Sequence, residues 1–225
     1  VACSTGTGFQ DITITGFGVP KAAMFILTKG ITDGTAANDA MLAIGFTDGP
    51  RQLGNVWRSG DAQATATDQC WQHDARIITT LSSATIDGYA IFDSFITDGV
   101  RIRWMDASPS AYLLTVILFK GDDLSVRADT INLGSVTTAQ PYTWMGFEAD
   151  VVISSGNTGT TINSGVNLFD LTFGLTHNDG AGGITQRCMA LTEQHTSANG
   201  APYARMFEDK SAAQLTNTTG AVTYE

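Results

Sequence analysis

The chain has 225 residues and a formal net charge of −10, from 22 Asp and Glu against 12 Lys and Arg. Hydrophobic residues make up 43% of the sequence and charged residues 15%, which is typical of globular proteins and excludes a disordered chain. The shortage of basic residues argues against nucleic acid as a partner, because phosphate binding depends on Lys and Arg. The apolar stretches are far shorter than the roughly 20 residues of a membrane-spanning helix, so we expect no membrane insertion.

The elements predicted along the chain are all β-strands. The segment FQDITITGF alternates apolar and polar residues, which places Ile12 and Ile14 on one face of a strand. The run KAAMFILTKG is apolar throughout, as expected for a strand that is buried on both faces. In a later segment, VRIRWMD, alternation predicts that Val100, Ile102 and Trp104 face inward. The other predicted strands are, in chain order, MLAIGFTDG, LGNVWRSG, ARIITTLSS, YAIFDSFITDG and YLLTVILFKG.

The turns between these segments indicate the same fold class. Thr-Asp-Gly occurs three times, ending at Gly34, Gly49 and Gly99, and Asp-Gly supplies the positive φ angles of tight hairpins. No stretch has the spacing of an amphipathic helix over more than about ten residues. The sequence therefore predicts an all-β fold, an antiparallel β-sandwich with jelly-roll-like connections.

The sequence also repeats itself, since MLAIGFTDG returns as DLTFGLTHNDG. The matched residues keep offsets of 129 to 132 positions and are Gly16 and Gly146, Gly45 and Gly174, Arg58 and Arg187, and Gly88 and Gly220. Such a small drift predicts an internal duplication with minor changes in loop length. The alternative is chance matching, because the chain contains 24 glycines.

The duplication predicts two tandem antiparallel β-sandwich domains, at residues 1–134 and 146–225, joined by a polar linker at 135–145. The second domain is predicted to be incomplete, because it lacks equivalents of VRIRWMD and YLLTVILFKG. A sandwich without two core strands would expose apolar surface and an open sheet edge. We therefore expect either that the polypeptide continues past Glu225, which we favour, or that a neighbouring subunit donates the strands.

No sequence motif for catalysis is present. There is no G-x-S-x-G nucleophile elbow, and no pair of carboxylates is singled out for sugar hydrolysis. Cys70 and His73 supply half of a zinc site at most, and we interpret them as a half-buried thiol beside a surface histidine. A disulfide between Cys70 and Cys188 is possible but not favoured, because it would require a specific distance and orientation of the two cysteines. We predict a protein that is not an enzyme and needs no cofactor.

Two weak kinds of binding site are suggested by residue type. Carboxylates in turns could bind calcium, which prefers several converging oxygen ligands, and the candidates are Asp33, Asp48, Asp98 and Asp179. Turn formation alone also explains these residues. Aromatic residues in exposed loops could form a carbohydrate platform, for which Trp57 and Trp71 are the main candidates, followed by Tyr142 and Trp144.

Two stretches of the sequence carry a resemblance to a known group of proteins. GFGVPKAAMFILTKGITDG resembles the Gly-Phe-x-Pro-Lys-Ala-x-x-Phe opening of proteins from tailed bacteriophages and marine bacterial prophages. FDSFITDGVRIRW followed by YLLTVILFKG is similar to a second pattern in those proteins, but Val100 and Ile102 stand where Phe and Leu are usual. The resemblance covers most of residues 9–121 and, more weakly, 144–225. The motif residues are structural in type, so no functional site is transferred.

The resemblance implies a bacteriophage virion structural protein that acts in capsid decoration or in tail or fibre assembly through protein–protein contacts. It would be made in the host cytoplasm and located in the virion. Its partners would be other virion proteins and copies of itself, with a trimer favoured. The main alternative is a carbohydrate-binding adhesin or lectin-like receptor-binding protein on the same scaffold, with a host surface glycan as ligand.

Overall fold

The computed structural model describes residues 1–60, 68–83, 85–131, 145–193, 203–215 and 221–224. Every regular element among them is a β-strand, which confirms the predicted all-β class. The first half contains β1 (Gly8–Thr13), β2 (Ala22–Thr28), β3 (Ala40–Thr47), β4 (Gln52–Ser59), β5 (Gln69–His73), β6 (Ile78–Ser82), β7 (Thr85–Ile96), β8 (Gly99–Asp106) and β9 (Leu114–Phe119). The second half contains β10 (Val151–Gly156), β11 (Gly165–Val166), β12 (Phe169–Asn178), β13 (Ile184–Glu193), β14 (Tyr203–Phe207), β15 (Gln214–Leu215) and β16 (Val222–Tyr224).

The strands form three stacked sheets and a short ribbon, and all neighbouring strands are antiparallel. The front sheet has the order β1-β8-β7-β6, and the central sheet has the order β11-β5-β4-β3-β2-β9. The back sheet has the order β10-β12-β13-β14, and β15 and β16 form the end ribbon.

The front and central sheets enclose the largest core. Val100, Ile102 and Trp104 of β8 are 0–1% exposed, and they pack with Phe25 and Leu27 of β2. The inward alternation predicted for VRIRWMD is therefore confirmed. Two apolar faces have been removed from water in this way, as in other antiparallel sandwiches.

The second face of the central sheet is also covered. Met24, Ile44 and Trp57 form a second core with Leu171 of the back sheet. Since Met24 and Phe25 are consecutive in β2, their side chains point to opposite faces, and each is almost fully buried. The prediction that KAAMFILTKG is buried on both faces is confirmed.

The other face of the back sheet is covered by the end ribbon. Cys188 and Ala190 of β13 pack there with Leu215 of β15 and with Ala213, which directly precedes this strand. This third core is the smallest of the three, because the ribbon contributes only two short strands among the described residues.

The structure corrects two local expectations. Ile14 lies beyond the end of β1 and is 51% exposed, so it does not share the buried face of Ile12. β5, which contains Trp71, was not among the predicted strands. The Asp-Gly turns behave as expected, since Asp98 has a φ of 67° in the two-residue turn from β7 to β8 and Gly49 has a φ of 96° after β3.

The two halves of the chain share a strand order. In the central sheet, successive neighbours are β2, β3, β4 and β5, and in the back sheet they are β10, β12, β13 and β14. In each half the next two strands form an antiparallel pair in the layer that faces this sheet, β6–β7 in the first half and β15–β16 in the second. If Gly45 and Gly174 are equivalent, Arg58 and Arg187 are not. Arg58 lies opposite Met41, four residues before Gly45, whereas Arg187 lies opposite Leu175, one residue after Gly174. The duplication itself stays a prediction, and the predicted linker lies outside the described residues apart from Met145.

Candidate functional site

The segment between β10 and β12 extends to the edge of the central sheet. Its short strand β11 pairs with β5, with Gly165 opposite Trp71 and Val166 opposite Cys70. A Cβ atom at Gly165 would clash with the Trp71 ring, so only glycine allows this approach. Just before β11, the backbone N–H of Asn163 donates a hydrogen bond of 2.7 Å to the backbone carbonyl oxygen of Gln72. A segment of the second half thereby completes a sheet of the first half.

Trp57 lies at the centre of the contact between the central and back sheets. Its side chain is fully buried, and its indole N–H donates a hydrogen bond of 2.6 Å to the backbone carbonyl oxygen of Asp170. The expectation that Trp57 stands in an exposed loop as a carbohydrate platform is wrong. The side chain instead fixes the register of two stacked sheets.

Trp71 is half-buried in β5, which pairs with β11 at the edge of the central sheet. Its ring stacks on the His73 imidazole with 5.9 Å between ring centroids. The Trp71 indole N–H is buried and has no hydrogen-bond partner among the described residues. The other two aromatic candidates, Tyr142 and Trp144, lie outside the residues that the structure describes.

Cys70 and His73 are both buried, which corrects the interpretation of a surface histidine beside a half-buried thiol. Burial, followed by the nearby charge of Arg76, lowers the pKa of His73 to about 4, so the imidazole is neutral at pH 7. Burial raises the pKa of Cys70 to about 12, so its thiol stays protonated and unreactive. Cys70 and Cys188 are free thiols in the structure, with no disulfide between them.

Asp170 is the most strongly perturbed carboxylate near this contact. It is 1% exposed in β12, and burial raises its pKa to about 7, although a hydrogen bond from Gln214 partly opposes this change. One carboxylate oxygen has no hydrogen-bond partner among the described residues. Nothing in the sequence DLTFG indicated that Asp170 would be buried, and its hydrogen-bond partner Gln214 comes more than 40 positions later in the chain.

The four candidate calcium ligands lie in separate turns and loops. Asp98 accepts a hydrogen bond of 2.7 Å from the Gly18 amide, and this contact together with one from Gly16 lowers its pKa. Asp179 accepts hydrogen bonds from the amides of its own turn, and its pKa is also lowered. The remaining two are Asp48, which caps its own hairpin, and Asp33, which is exposed. Within the described ranges, no group of three or more His, Cys, Asp or Glu could hold a metal ion.

A charged cluster that the sequence did not reveal lies where the loop after β2 returns to β3. The Asp39 carboxylate is 2.5 Å from Lys29 Nζ and 3.1 Å from an Arg58 guanidinium nitrogen. Asp39 has a φ of 64°, which is uncommon for a residue other than glycine. A groove of about 260 Å³ runs beside it and is also lined by Phe169. The cluster ties the loop to β4, and its carboxylate is already neutralised by the two cations.

The outer edge of β10 is an unpaired strand edge of the back sheet among the described residues. β10 pairs with β12 on one side, and no described strand pairs with it on the other. Val151 in this strand is 52% exposed, and Leu175 in the neighbouring strand is 45% exposed. Open edges and exposed aliphatic side chains together are the ordinary marks of a protein-binding surface.

Comparison of the chain with protein families, with curated proteins and with solved structures finds no match. Among the described residues, no helix is present that could cross a membrane. The geometry of the sheets and of their open edges is therefore the basis of the functional proposal.

Proposed function

We propose that this protein is a non-enzymatic structural component of a tailed bacteriophage virion, acting in capsid decoration or in tail or fibre assembly. The resemblance of GFGVPKAAMFILTKGITDG and FDSFITDGVRIRW to phage proteins supports this role. The stacked antiparallel sheets are compatible with it, because such layers can present loops and strand edges to neighbouring subunits.

The observation that carries the proposal is the partly covered back sheet. Val151 (52%) and Leu175 (45%) are exposed on one face of it, beside the open edge of β10. Single exposed apolar residues are common, but neighbouring ones beside an open edge favour a surface that other proteins cover. An assembly protein needs such a surface and requires no reactive group.

Glycan binding through Trp57 and Trp71 has lost its support. Trp57 is fully buried between two sheets, and Trp71 is covered by β11. Aromatic rings that bind sugars must present a face to solvent, and neither ring does so in a loop. We therefore propose no second function for this protein.

The experiment that tests the proposal is the analysis of purified phage particles from the source culture. We expect peptides of this chain in the particle fraction at a constant ratio to the major capsid protein, measured by quantitative mass spectrometry. Immunogold labelling would then distinguish the capsid from the tail. Presence of the protein only in the particle-free fraction would refute the virion role.

A further inference from the structure

We propose that the outer edge of β10 binds an extended segment of another polypeptide chain, which adds to the back sheet as an antiparallel strand. The segment would resemble β9, with aliphatic side chains followed by a basic residue at its C-terminal end. The inference does not rest on the virion role, because strand addition would serve any assembly.

The internal register shows which strand of the first half corresponds to β10. Gly45 of β3 lies opposite Phe25 of β2, and Gly174 of β12 lies opposite Ser154 of β10. At both glycines an added Cβ would clash with a backbone carbonyl oxygen of the facing layer, that of Ile77 before β6 or that of Ser211 before β15. β10 therefore occupies the position in the back sheet that β2 occupies in the central sheet.

The first half shows what covers this position. β9 pairs with β2 from Ala22 to Leu27 on the side away from β3. Ala22 is 3% exposed, whereas Val151, at the equivalent register position of β10, is 52% exposed. No described strand takes the place of β9 beside β10.

Backbone groups of β10 point toward the open edge. The backbone N–H of Asn178 donates a hydrogen bond of 2.8 Å to the backbone carbonyl oxygen of Asp150, so the backbone groups of Asp150 face β12. Alternation along an antiparallel strand then directs the N–H and C=O groups of Val151 and Ile153 away from β12. At the far end, Asn55 already donates a hydrogen bond of 3.1 Å to the Ser155 carbonyl oxygen. The available edge is thus short and centred on Val151 and Ile153.

The side chains at this edge define the chemistry of the incoming segment. Val151, Val152 and Ile153 are aliphatic and none of them is fully buried, so the segment needs aliphatic side chains on both faces. Asp150 is exposed beside them and corresponds in register to Lys21, which precedes β2. Because Lys120 directly follows Phe119, the residue opposite Ala22, a β9-like strand would bring a lysine close to Asp150.

The test uses a fluorescent peptide with the sequence of residues 112–121, YLLTVILFKG, extended at its N-terminus by a polar solubilising tail. Its binding to the full chain is measured by fluorescence anisotropy. We expect saturable binding with one site per chain. Absence of saturable binding at solubility-limited concentrations would overturn the proposal.

Two N-methylated peptides separate strand addition from non-specific adhesion. One peptide carries methyl groups on every second backbone nitrogen, and the other carries them on the remaining nitrogens, so that each peptide has one edge blocked. Because one edge of an added strand pairs with β10 and the other does not, one methylation pattern should abolish binding and the other should preserve it. Equal behaviour of the two peptides would overturn the proposal without any question of protein folding.

Two variants of the full chain locate the site. Val151→Pro removes an outward N–H that β12 does not use, and we expect peptide affinity to fall at least about tenfold at an unchanged melting temperature. Asp150→Lys should also weaken binding, whereas Asp33→Lys, which makes the same charge change in the exposed β2–β3 loop, should not. Unchanged affinity in both edge variants would refute the assignment to β10, and it would leave the virion test unaffected.

Discussion

The two halves of the molecule use the same order of strands, yet among the described residues only the first closes into a complete sandwich. In the first half, β8 and β9 follow the shared strands, one pairing with β7 and the other with β2. In the second half, the described strands stop at the end ribbon, and β10 keeps an open edge. The shared strand order thus fixes the layers, while the additional strands decide which apolar surface remains in contact with water.

The close contacts of Gly45 and Gly174 with the facing layers allow the rigidity of the two sandwiches to be compared. Gly45→Ala should lower the free energy of unfolding by about 4 kcal/mol, because the added methyl group would meet the Ile77 carbonyl inside a closed sandwich. Gly174→Ala should cost less, since the facing Ser211 segment belongs to a smaller layer that can shift. Urea unfolding measures both values.

A matched control for these glycine variants is Gly30→Ala. The added Cβ would lie 3.6 Å from the Thr28 hydroxyl oxygen, which is an ordinary van der Waals contact. Equal losses for Gly45→Ala and Gly174→Ala would show that the second sandwich is as rigid as the first.

The contact between the halves can be tested through the two tryptophans. Trp57→Phe should cost about 3 kcal/mol, because it removes a buried indole N–H that bonds to Asp170 and leaves unfilled space. Trp71→Phe should cost clearly less, because the Trp71 N–H has no partner among the described residues and the ring is half-buried. Thermal unfolding monitored by circular dichroism gives the comparison, and a reversed order would contradict the role assigned to Trp57.

The pH dependence of stability should differ in sign between Asp170 and His73. Burial raises the folded-state pKa of Asp170 from 3.8 to about 7, so the native state binds more protons than the unfolded state in that interval. Its contribution to stability is complete below pH 3.8 and is lost as the pH rises toward 7. Asp170→Asn should therefore gain about 4 kcal/mol over the wild type as the pH rises through this interval.

His73 should oppose this change within nearly the same interval. Burial lowers its folded-state pKa from 6.5 to about 4, so its contribution is present above pH 6.5 and is lost as the pH falls toward 4. The stability of His73→Gln relative to the wild type should therefore decrease as the pH rises from 4 to 6.5. Urea midpoints at a series of pH values test both residues, and difference curves of the same sign would contradict the assignment.

The smallest expected difference concerns two turn carboxylates. Asp98 bonds to the Gly18 amide, 80 positions away in sequence, whereas Asp179 bonds only within its own turn. Asp98→Gly should therefore lower the melting temperature more than Asp179→Gly, even though the positive φ angle of Asp98 suits glycine. Identical melting temperatures would show that the Asp98 contact contributes nothing to the closed sandwich.

Local patterns were sufficient for much of the first half. The uninterrupted run at β2 predicted burial on both faces, and alternation in β8 predicted which side chains enter the core. Both signals succeed because they depend only on the period of a strand and on its depth. The Asp-Gly turns succeed for the same reason, because a positive φ angle is a local requirement.

Contacts between distant segments were not visible in the sequence. Gln69–His73 lacks clean alternation, and it becomes a strand because β4 and β11 pair with its two edges. Trp57 resembled a surface residue because its covering layer comes more than 100 positions later. Asp39 and Arg58 meet only when the loop before β3 folds back. Each of these features is created by the stacking of sheets.

The stacking also has a consequence for the order in which the protein is made. The apolar face that carries Met24, Ile44 and Trp57 can form once β9 has been synthesised, but Leu171, which covers it, follows roughly 50 residues later. At about 5–20 residues per second, translation takes about 3–10 s to span that distance. During this interval the nascent chain presents a bare apolar sheet, so it offers chaperones a surface that is buried in the finished protein.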